Sequence, residues 1–477
     1  MLFSNVIEDE FELIDEFIHK DVVYKEVRLK NRGYRCECGT FHTNVKEYRK
    51  KQITHSIYAH QKCIIIYHHR RFICPNCGAT HMEDNPFSSD NNHVSDRTIL
   101  NILTDLKRYN TTFNEAAQNN GVSVMEVIKL FDKYCHMERL RLPKVLCIDE
   151  IYFSRKRRKK YVLILLNFHN RAIIDVLKDR DKHTLSAWLS HIPRKERANV
   201  QYVSIDMTDN YRDVVSIYLP DALIVADSFH VMKHLVDALD SVRLRVMRRF
   251  SDDRKSDEYY LLKYQDQLLY SADIDYNFRM NKHFHRYISQ DQMLTMMTSL
   301  DVQLYDAHRL YHLYRRFNDS SFSNLKEAEN KLNEIINEFR ISGINEFEEL
   351  SSTLTNWKTE IVNSFCTFDG SRVSNGPIEG RNSMIKKILK LANGYSNFDR
   401  FRNRIIYSLN RYSDHHFPPM IKGRDSTQNS CPFSLIFVAH PHDNLTGDPH
   451  DYVTWVGFHP HDSLHYQYYW LLECFSY

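Results

Sequence analysis

No stretch of this 477-residue chain is apolar over the roughly 20 residues that a membrane-crossing helix needs. A basic leader is missing as well: MLFSNVIEDEFELIDEF carries acids where a secretory signal places Lys or Arg. Both absences lead us to expect a soluble, cytoplasmic protein with no membrane partner. Charge of one sign is also lacking. Against 64 Lys and Arg stand 61 Asp and Glu, a formal net charge of +3. The whole-chain balance therefore neither favours nor excludes a polyanionic partner, and the distribution of charge has to decide. What is present is ordinary for a globular protein, with 42% hydrophobic and 26% charged residues. The length implies two to four domains of about 100–200 residues each. Ten cysteines, in a reducing compartment, read as metal ligands or buried thiols rather than disulfides.

Five regions separate along the chain. Residues 1–30 are an acidic, helix-patterned lead. Residues 31–85 hold two cysteine pairs among basic and β-branched residues. Residues 90–140 read as helices, residues 141–412 alternate strands and helices, and residues 413–477 differ in composition. In the fourth region KVLCIDE, KYVLILLN and RAIIDVL read as strands, the last two joined as a hairpin. HTLSAWLSHI is a helix, NVQYVSID a strand, NYRDVVSIYL a helix, ALIVAD a strand and FHVMKHLVDALDSVRLRV a long helix. This β-β-β-α-β-α-β-α order is that of a ribonuclease H-like α/β domain. Only helical periodicity follows over 231–365, which reads as a helical insertion before a final helix.

Acids fall at telling places in that order. Asp149 ends the first strand and Asp206 the fourth, which are neighbours in a ribonuclease H-like sheet. Ligands of open α/β sheets gather beyond the carboxyl ends of strands. Glu379 lies in SNGPIEGRNSMIKKIL, in the first turn of a helix announced by Ser374, Asn375, Gly376 and Pro377. Three carboxylates brought together repel one another and need cations. Hard oxygen donors suit Mg²⁺ or Mn²⁺, and two such ions stabilise the attacking and leaving oxygens of a phosphodiester displacement. Taken singly, each acid reads equally as a helix cap or a surface charge, so the argument rests on all three. Glu150 follows Asp149 and points to the opposite face of the strand. Asp227, which ends ALIVAD, competes with Asp206, and we retain Asp206 as the nearer neighbour of Asp149. Asp227 and His230 share a helix face; they either orient a phosphate or a flipped base, or form an N-cap beside a partly buried histidine.

Cys36 and Cys38 in YRCECGTFH, and Cys74 and Cys77 in RRFICPNCGATH, make two pairs around a β-rich stretch, the pattern of a structural zinc ribbon. The first pair is C-x-C rather than C-x-x-C, which leaves His42 or His81 open as substitute ligands. TTFNEAAQNNGVSVMEVIKLFDKYC fits helix-turn-helix spacing, with Ala116 and Ala117 in the first helix, Gly121 at the turn, and Ser123 capping a second helix whose Val124, Val127 and Ile128 face inward. An ordinary helical pair shares that pattern. Arg155, Lys156, Arg157, Arg158, Lys159 and Lys160 lie between the first two strands, as a phosphate-reaching hairpin tip or a solvated turn. Ser123 and Lys129, with Arg381, Asn382, Lys386 and Lys387 on the Glu379 helix, complete the candidate DNA contacts.

Taken in order, the cysteine pairs, the helix-turn-helix, IDE, SID, ADSFHVMKHL and SNGPIEGRNSMIKKILKLANGYSNFDRFRNRI resemble the ISL-three (insertion-sequence L-three) family of bacterial DDE transposases over roughly residues 31–410. The resemblance implies a ribonuclease H-like catalytic domain that cuts DNA at terminal inverted repeats with Mg²⁺ and transfers the strand to a target. By position the triad is Asp149, Asp206 and Glu379. Related transposases with a helical insertion carry a C/D-x-x-H element, matched here by Asp227 and His230. They also place a tryptophan in the insertion to support DNA distortion. Trp357 is the candidate, with a core tryptophan as the alternative. Partners implied are double-stranded DNA and further copies of the chain. A DNA-binding regulator without catalysis is the rival reading, and a structure-specific nuclease a third. The tail departs from the resemblance: residues 413–477 hold eight His, two Lys or Arg and three Pro-His-Asp repeats, a composition that suggests a fused extension.

Overall fold

The computed structural model describes residues 11–58, 61–89, 92–154 and 160–411. The basic run Arg155–Lys159 and the tail 413–477 lie outside the described residues.

The N-terminal part is a sheet. Its strands are β1 (Phe11–His19), β2 (Val22–Leu29), β5 (Val45–Tyr58), β6 (Gln61–Ile73) and β7 (Thr80–Met82), with the short pair β3 (Tyr34–Arg35) and β4 (Phe41–His42) beside it. The order is β1-β2-β6-β5, and β7 pairs with β6. This corrects the helical lead expected over 1–30. Residues 11–29 form an antiparallel hairpin instead. Its two-residue turn, Lys20–Asp21, holds both residues at positive φ, 48° and 59°, the turn geometry that matches strand twist. The apolar spacing in FELIDEFI suits either helix or strand. Pairing of β2 with β6 decides between them, because it buries Val23 and Val27 on alternate positions.

Three helices follow, α1 (Asp96–Lys107), α2 (Phe113–Asn120) and α3 (Val124–Tyr134). The hydroxyls of Ser95, Thr112 and Ser123 each accept a first-turn amide, and Thr112 forms a reciprocal capping box with Glu115. Gly121 ends α2 at φ 64°, a left-handed position that penalises a side chain.

The central sheet comprises β8 (Val145–Tyr152), β9 (Tyr161–Asn167), β10 (Ile173–Leu177), β11 (Tyr202–Ile205) and β12 (Leu223–Ala226), in the order β10-β9-β8-β11-β12. β8, β9 and β10 are antiparallel neighbours, while β11 runs parallel to both β8 and β12. Helices α4 (Lys182–Ser190), α5 (Arg194–Arg197), α6 (Asp209–Tyr218) and α7 (Ser228–Arg248) alternate with the later strands. Then come α8 (Asp257–Tyr264), α9 (Gln290–Thr298), α10 (Val302–Asp319), α11 (Leu325–Arg340), α12 (Asn345–Asn356) and α13 (Lys358–Asn363). This stretch is not wholly helical: an antiparallel hairpin, β13 (Arg279–Asn281) and β14 (Arg286–Ile288), interrupts it. A small hairpin, β15 (Thr367–Phe368) and β16 (Ser371–Arg372), leads to α14 (Gly376–Leu391) and α15 (Phe398–Leu409).

Both sheet faces are covered, and alternation of side chains assigns each residue to a layer. Leu146, Ile148, Leu163, Leu165, Val203 and Ile205 join a core with α4, α6, α7 and the inserted helices. Cys147, Ile151, Val162, Ile164 and Leu166 join a second core with α1–α3, α14 and α15. Arg404 of α15 is buried in that second layer. Its guanidinium donates to the carbonyls of Leu106 and Arg108 at the end of α1 and of Thr111 just before α2.

Candidate active site and cysteine cluster

Register sets the site. Cys147 on β8 lies opposite Ser204 on β11, and Ser204 opposite Val225 on β12. Two residues further on are Asp149, within β8, and Asp206 and Asp227, one residue past the ends of β11 and β12. Because side chains repeat every two residues, the three carboxylates form a row on one face of three adjacent strands. That is the face covered by α14. Glu150 points the other way, where its carboxylate takes the Arg180 guanidinium and the Tyr211 hydroxyl at 3.2 Å.

α14 crosses the row. At its start the Asn375 amide N–H donates to Asp227 Oδ1 (3.3 Å), and the Asn375 side chain donates to the Ile148 carbonyl (3.2 Å). Two turns on, Asn382 Nδ2 donates to Asp149 Oδ2 at 2.7 Å. Glu379 lies between these two anchor points, exposed at its surface. His230 Nε2 stands 3.7 Å from Asp227 Oδ2, beyond hydrogen-bond length.

The electrostatics are those of crowded acids. Burial pushes the Asp149 carboxyl up to about 6, against the Glu150 amide and His230, with Asp206 and Asp227 adding to the rise. Burial also raises Asp227, opposed by His230 and by the Asn375 and Phe229 amides, with Asp206 raising it further. Glu379 is raised by burial and then by Asp227, against His230. Asp206 acts on Asp149 more strongly than Asp227 does, in keeping with its nearer strand. Asp206 Oδ1 and Asp227 Oδ2 are buried without a hydrogen-bond partner among the described residues. Buried oxygens of this kind ordinarily find a donor or a cation, so the donor set fits a hard divalent ion.

The cysteines sit much closer together. The ligand atoms of Cys36, Cys38, Cys74 and Cys77 all lie within 4.8 Å of one another, the only such group of three or more His, Cys, Asp or Glu among the described residues. Cys36 and Cys77 Sγ are 3.5 Å apart, and Cys38 and Cys74 Sγ 3.6 Å. Four sulfurs at tetrahedral zinc bonding distance stand roughly 3.8 Å apart. Each pair is folded by a backbone turn, the second one residue longer than the first: the Gly39 and Gly78 amides close onto the Cys36 and Cys74 carbonyls, and the Cys36 and Cys74 amides donate to the Thr40 and Ala79 carbonyls. Neither histidine joins them. His81 stacks on Tyr34 at 4.1 Å, and His42 is buried edge-on to Tyr34 and Phe72.

Two sequence expectations need correction. Trp357 is buried, 3% exposed, with the Arg212 guanidinium over its ring at 4.3 Å. It is a core residue and cannot stack on a base. Asn382 is 6% exposed and spends its amide on Asp149, so it is a site residue rather than a DNA contact. Arg381 is half-buried and donates through Nε to the Arg171 carbonyl at 2.9 Å. Ser123, Lys129, Lys160, Lys386 and Lys387 are exposed. Asn375 was read only as a helix start, because an asparagine before Gly-Pro signals a turn and gives no hint of a tertiary partner.

The decisive comparison lies over this same region. Residues 146–405, more than half of the chain, match a family described as transposase, of the DDE ISL3 type. The chain belongs to the ISL3 family of transposases. Two similar proteins are named transposases for insertion sequence elements. One, for IS1557 of Mycobacterium tuberculosis, is 31% identical over 117 residues, 24% of either chain. The other, for IS1001 of Bordetella parapertussis, is 25% identical over 211 residues, 42% of this chain and 51% of that protein. The matched segments thus span between a quarter and a half of those relatives. No helix among the described residues is long and apolar enough to cross a membrane.

Proposed function

We propose that this ISL3-family chain binds the terminal inverted repeats of an insertion sequence and cuts and joins DNA at the carboxylate row. The observation that carries the reading is the row itself: acids on or at the ends of three adjacent strands, with Asp149 and Asp227 raised by burial and buried oxygens of Asp206 and Asp227 left unsatisfied. Asp149, Asp206 and Glu379 would hold Mg²⁺ or Mn²⁺, and the bound ions would supply charge stabilisation for the attacking and leaving oxygens. The strand order β10-β9-β8-β11-β12 supports a ribonuclease H-like catalytic domain.

The chain's own residues prepare this site. Asn382 fixes the Asp149 carboxylate, Asn375 fixes Asp227, and α14 carries Glu379 across between them. Asp227 and His230, at the start of α7, orient the phosphate or a displaced base. Water and then a freed 3′-hydroxyl attack phosphorus, with the 3′-oxygen of the broken ester leaving. α2 and α3 act as a helix-turn-helix presenting Ser123 and Lys129, the cysteine cluster holds a structural Zn²⁺ in a ribbon, and the protein works as a homo-oligomer on paired ends.

The test is Mg²⁺-dependent cleavage and strand transfer by the full chain on duplex DNA carrying a terminal repeat. Asp149→Asn, Asp206→Asn and Glu379→Ala should abolish both reactions and leave DNA binding intact. Cleavage that survives Glu379→Ala removes that residue from the triad. Binding without cleavage by the wild type marks a regulator, and cleavage without joining a nuclease.

A further inference from the structure

Glycine is scarce in this chain, 12 of 477 residues, so each one asks for a reason. Of the nine among the described residues, seven sit at positive φ, where a side chain is penalised. An eighth, Gly376, opens α14. The ninth, Gly380, is the fifth residue of the same helix, and the fold gives no reason for it. Its φ is not positive. Apart from its chain neighbours and its own turn of helix, a Cβ built on it would meet nothing within 4 Å. The position is exposed, and glycine is a poor helix former beside alanine. The protein thus forgoes helix stability where its own atoms would accept a side chain. The remaining use of a bare position is close approach by a ligand.

Its surroundings select the ligand. Gly380 follows Glu379 on the helix that crosses the carboxylate row. At the start of that helix Asp227, 1% exposed, keeps Oδ2 without a hydrogen-bond partner among the described residues, so the row awaits something from outside. Residues three and four apart share a helix face. Gly380, Ser383 and Lys387 follow at those steps, and so do Glu379, Ser383, Lys386 and Lys390. All six are exposed. Beyond Glu379 the helix holds no acid, and none of the three lysines pairs with a carboxylate among the described residues. The face has no aromatic or aliphatic side chain to anchor a protein partner. A phosphate backbone fits it: phosphates meet the lysines by charge, and the chain between them reaches the row past the bare turn.

We propose that Gly380 is kept bare so that the sugar-phosphate chain of the bound DNA strand lies directly against α14 beside the carboxylate row. The inference rests on the DNA reading above and adds the path of the strand to it. Gly380 positions that strand and takes no part in the chemistry. A side chain there would lift the strand away from Glu379.

The experiment uses the full chain with Gly380→Ala and Gly380→Leu, both changes to good helix formers. Gly380→Ala should melt about 1 °C above the wild type. It should nonetheless cut a terminal-repeat duplex in Mg²⁺ about tenfold or more slowly at saturating protein, because a misplacement of about 1 Å costs up to ~100-fold. Gly380→Leu should cut more slowly still. In EDTA, Gly380→Leu should also weaken binding of a fluorescein-labelled terminal-repeat duplex by about fivefold or more, read by anisotropy. Wild-type cleavage rates in both variants overturn the proposal. So does a lower melting temperature in both, which would assign the glycine to the fold. The two readings fail separately. A wild type that cuts terminal repeats, with variants that cut as fast, sinks the strand path alone. A wild type that ignores terminal repeats but binds a blunt duplex of unrelated sequence, with that binding weakened in Gly380→Leu, sinks the transposition reading alone.

Discussion

Asn382 is the residue on which the proposed site most depends without itself holding a cation. Its amide holds one oxygen of Asp149 at 2.7 Å while the Glu150 amide donates to the other at 2.8 Å, so the carboxylate is set in one orientation. Partners of this kind typically change metal affinity by about 10–100-fold. Asn382→Ala should therefore raise the Mg²⁺ concentration needed for half-maximal cleavage by that factor, while DNA binding stays the same. An unchanged Mg²⁺ requirement would reduce Asn382 to a packing residue. Trp357 gives the complementary expectation. Buried under Arg212, it should cost about 3 kcal/mol or more as Trp357→Ala in chemical denaturation, and Trp357→Phe should leave strand cleavage near the wild-type rate. Asp149 and Glu379 stood out in the sequence because a strand end and a Pro-marked helix start are local signals. Asn375 and Asn382 did not, because their partners lie more than 200 positions away or on another strand's carboxyl end.

At the scale of elements, α15 is a buttress. Arg404, 1% exposed, ties the end of α1 and the loop into α2 through three carbonyls. Arg404→Met should lose about 3 kcal/mol, seen as a lower denaturation midpoint, because buried carbonyls are left without donors. The insertion carries its own acid sensitivity in α10. His308 is held down to about 4 by burial, with His312 adding to the effect; the two rings are 4.4 Å apart. A histidine depressed in the folded state contributes stability that is complete above its unfolded value of about 6.5 and is lost as pH falls toward 4. His308→Gln should thus lessen the fall in stability between neutral pH and about pH 5 by up to about 2 kcal/mol. Melting curves at the two pH values decide it. Helices with capping residues and strands with β-branched runs were legible here. The β1–β2 and β13–β14 hairpins were not, since a Lys-Asp turn carries no Gly and three-residue strands show no period.

At the scale of the molecule, a sheet covered on both faces separates two tasks. The inserted helices pack on one face, while the three-helix unit and α14–α15 pack on the other with the carboxylates beneath α14. Composition and charge gave no hint of this layering, but the order of strands and helices did, because a sheet with connections on both sides must bury both. The cysteine cluster lies in the N-terminal part, away in sequence from every carboxylate. Cys77→Ser should lower zinc content and loosen residues 31–85, read by metal analysis and amide exchange, yet leave Mg²⁺ binding by the central sheet in place. Equal zinc in the variant and the wild type would discard the four-thiolate site.

Asn410, just past α15, pairs with both the amide and the carbonyl of Ile173, at 2.7 and 2.9 Å, as a neighbouring strand would. The free edge of β10 is thereby finished by a residue that the ribosome delivers more than 200 codons after the strand itself. Glu379 also arrives late. Between the making of Asp206 and of Glu379 a nascent chain therefore holds an open sheet edge and two of its three proposed ligands. If Glu379 is the third ligand, cutting competence waits for α14, and a copy broken before α14 leaves uncovered the sheet face that α14 packs on.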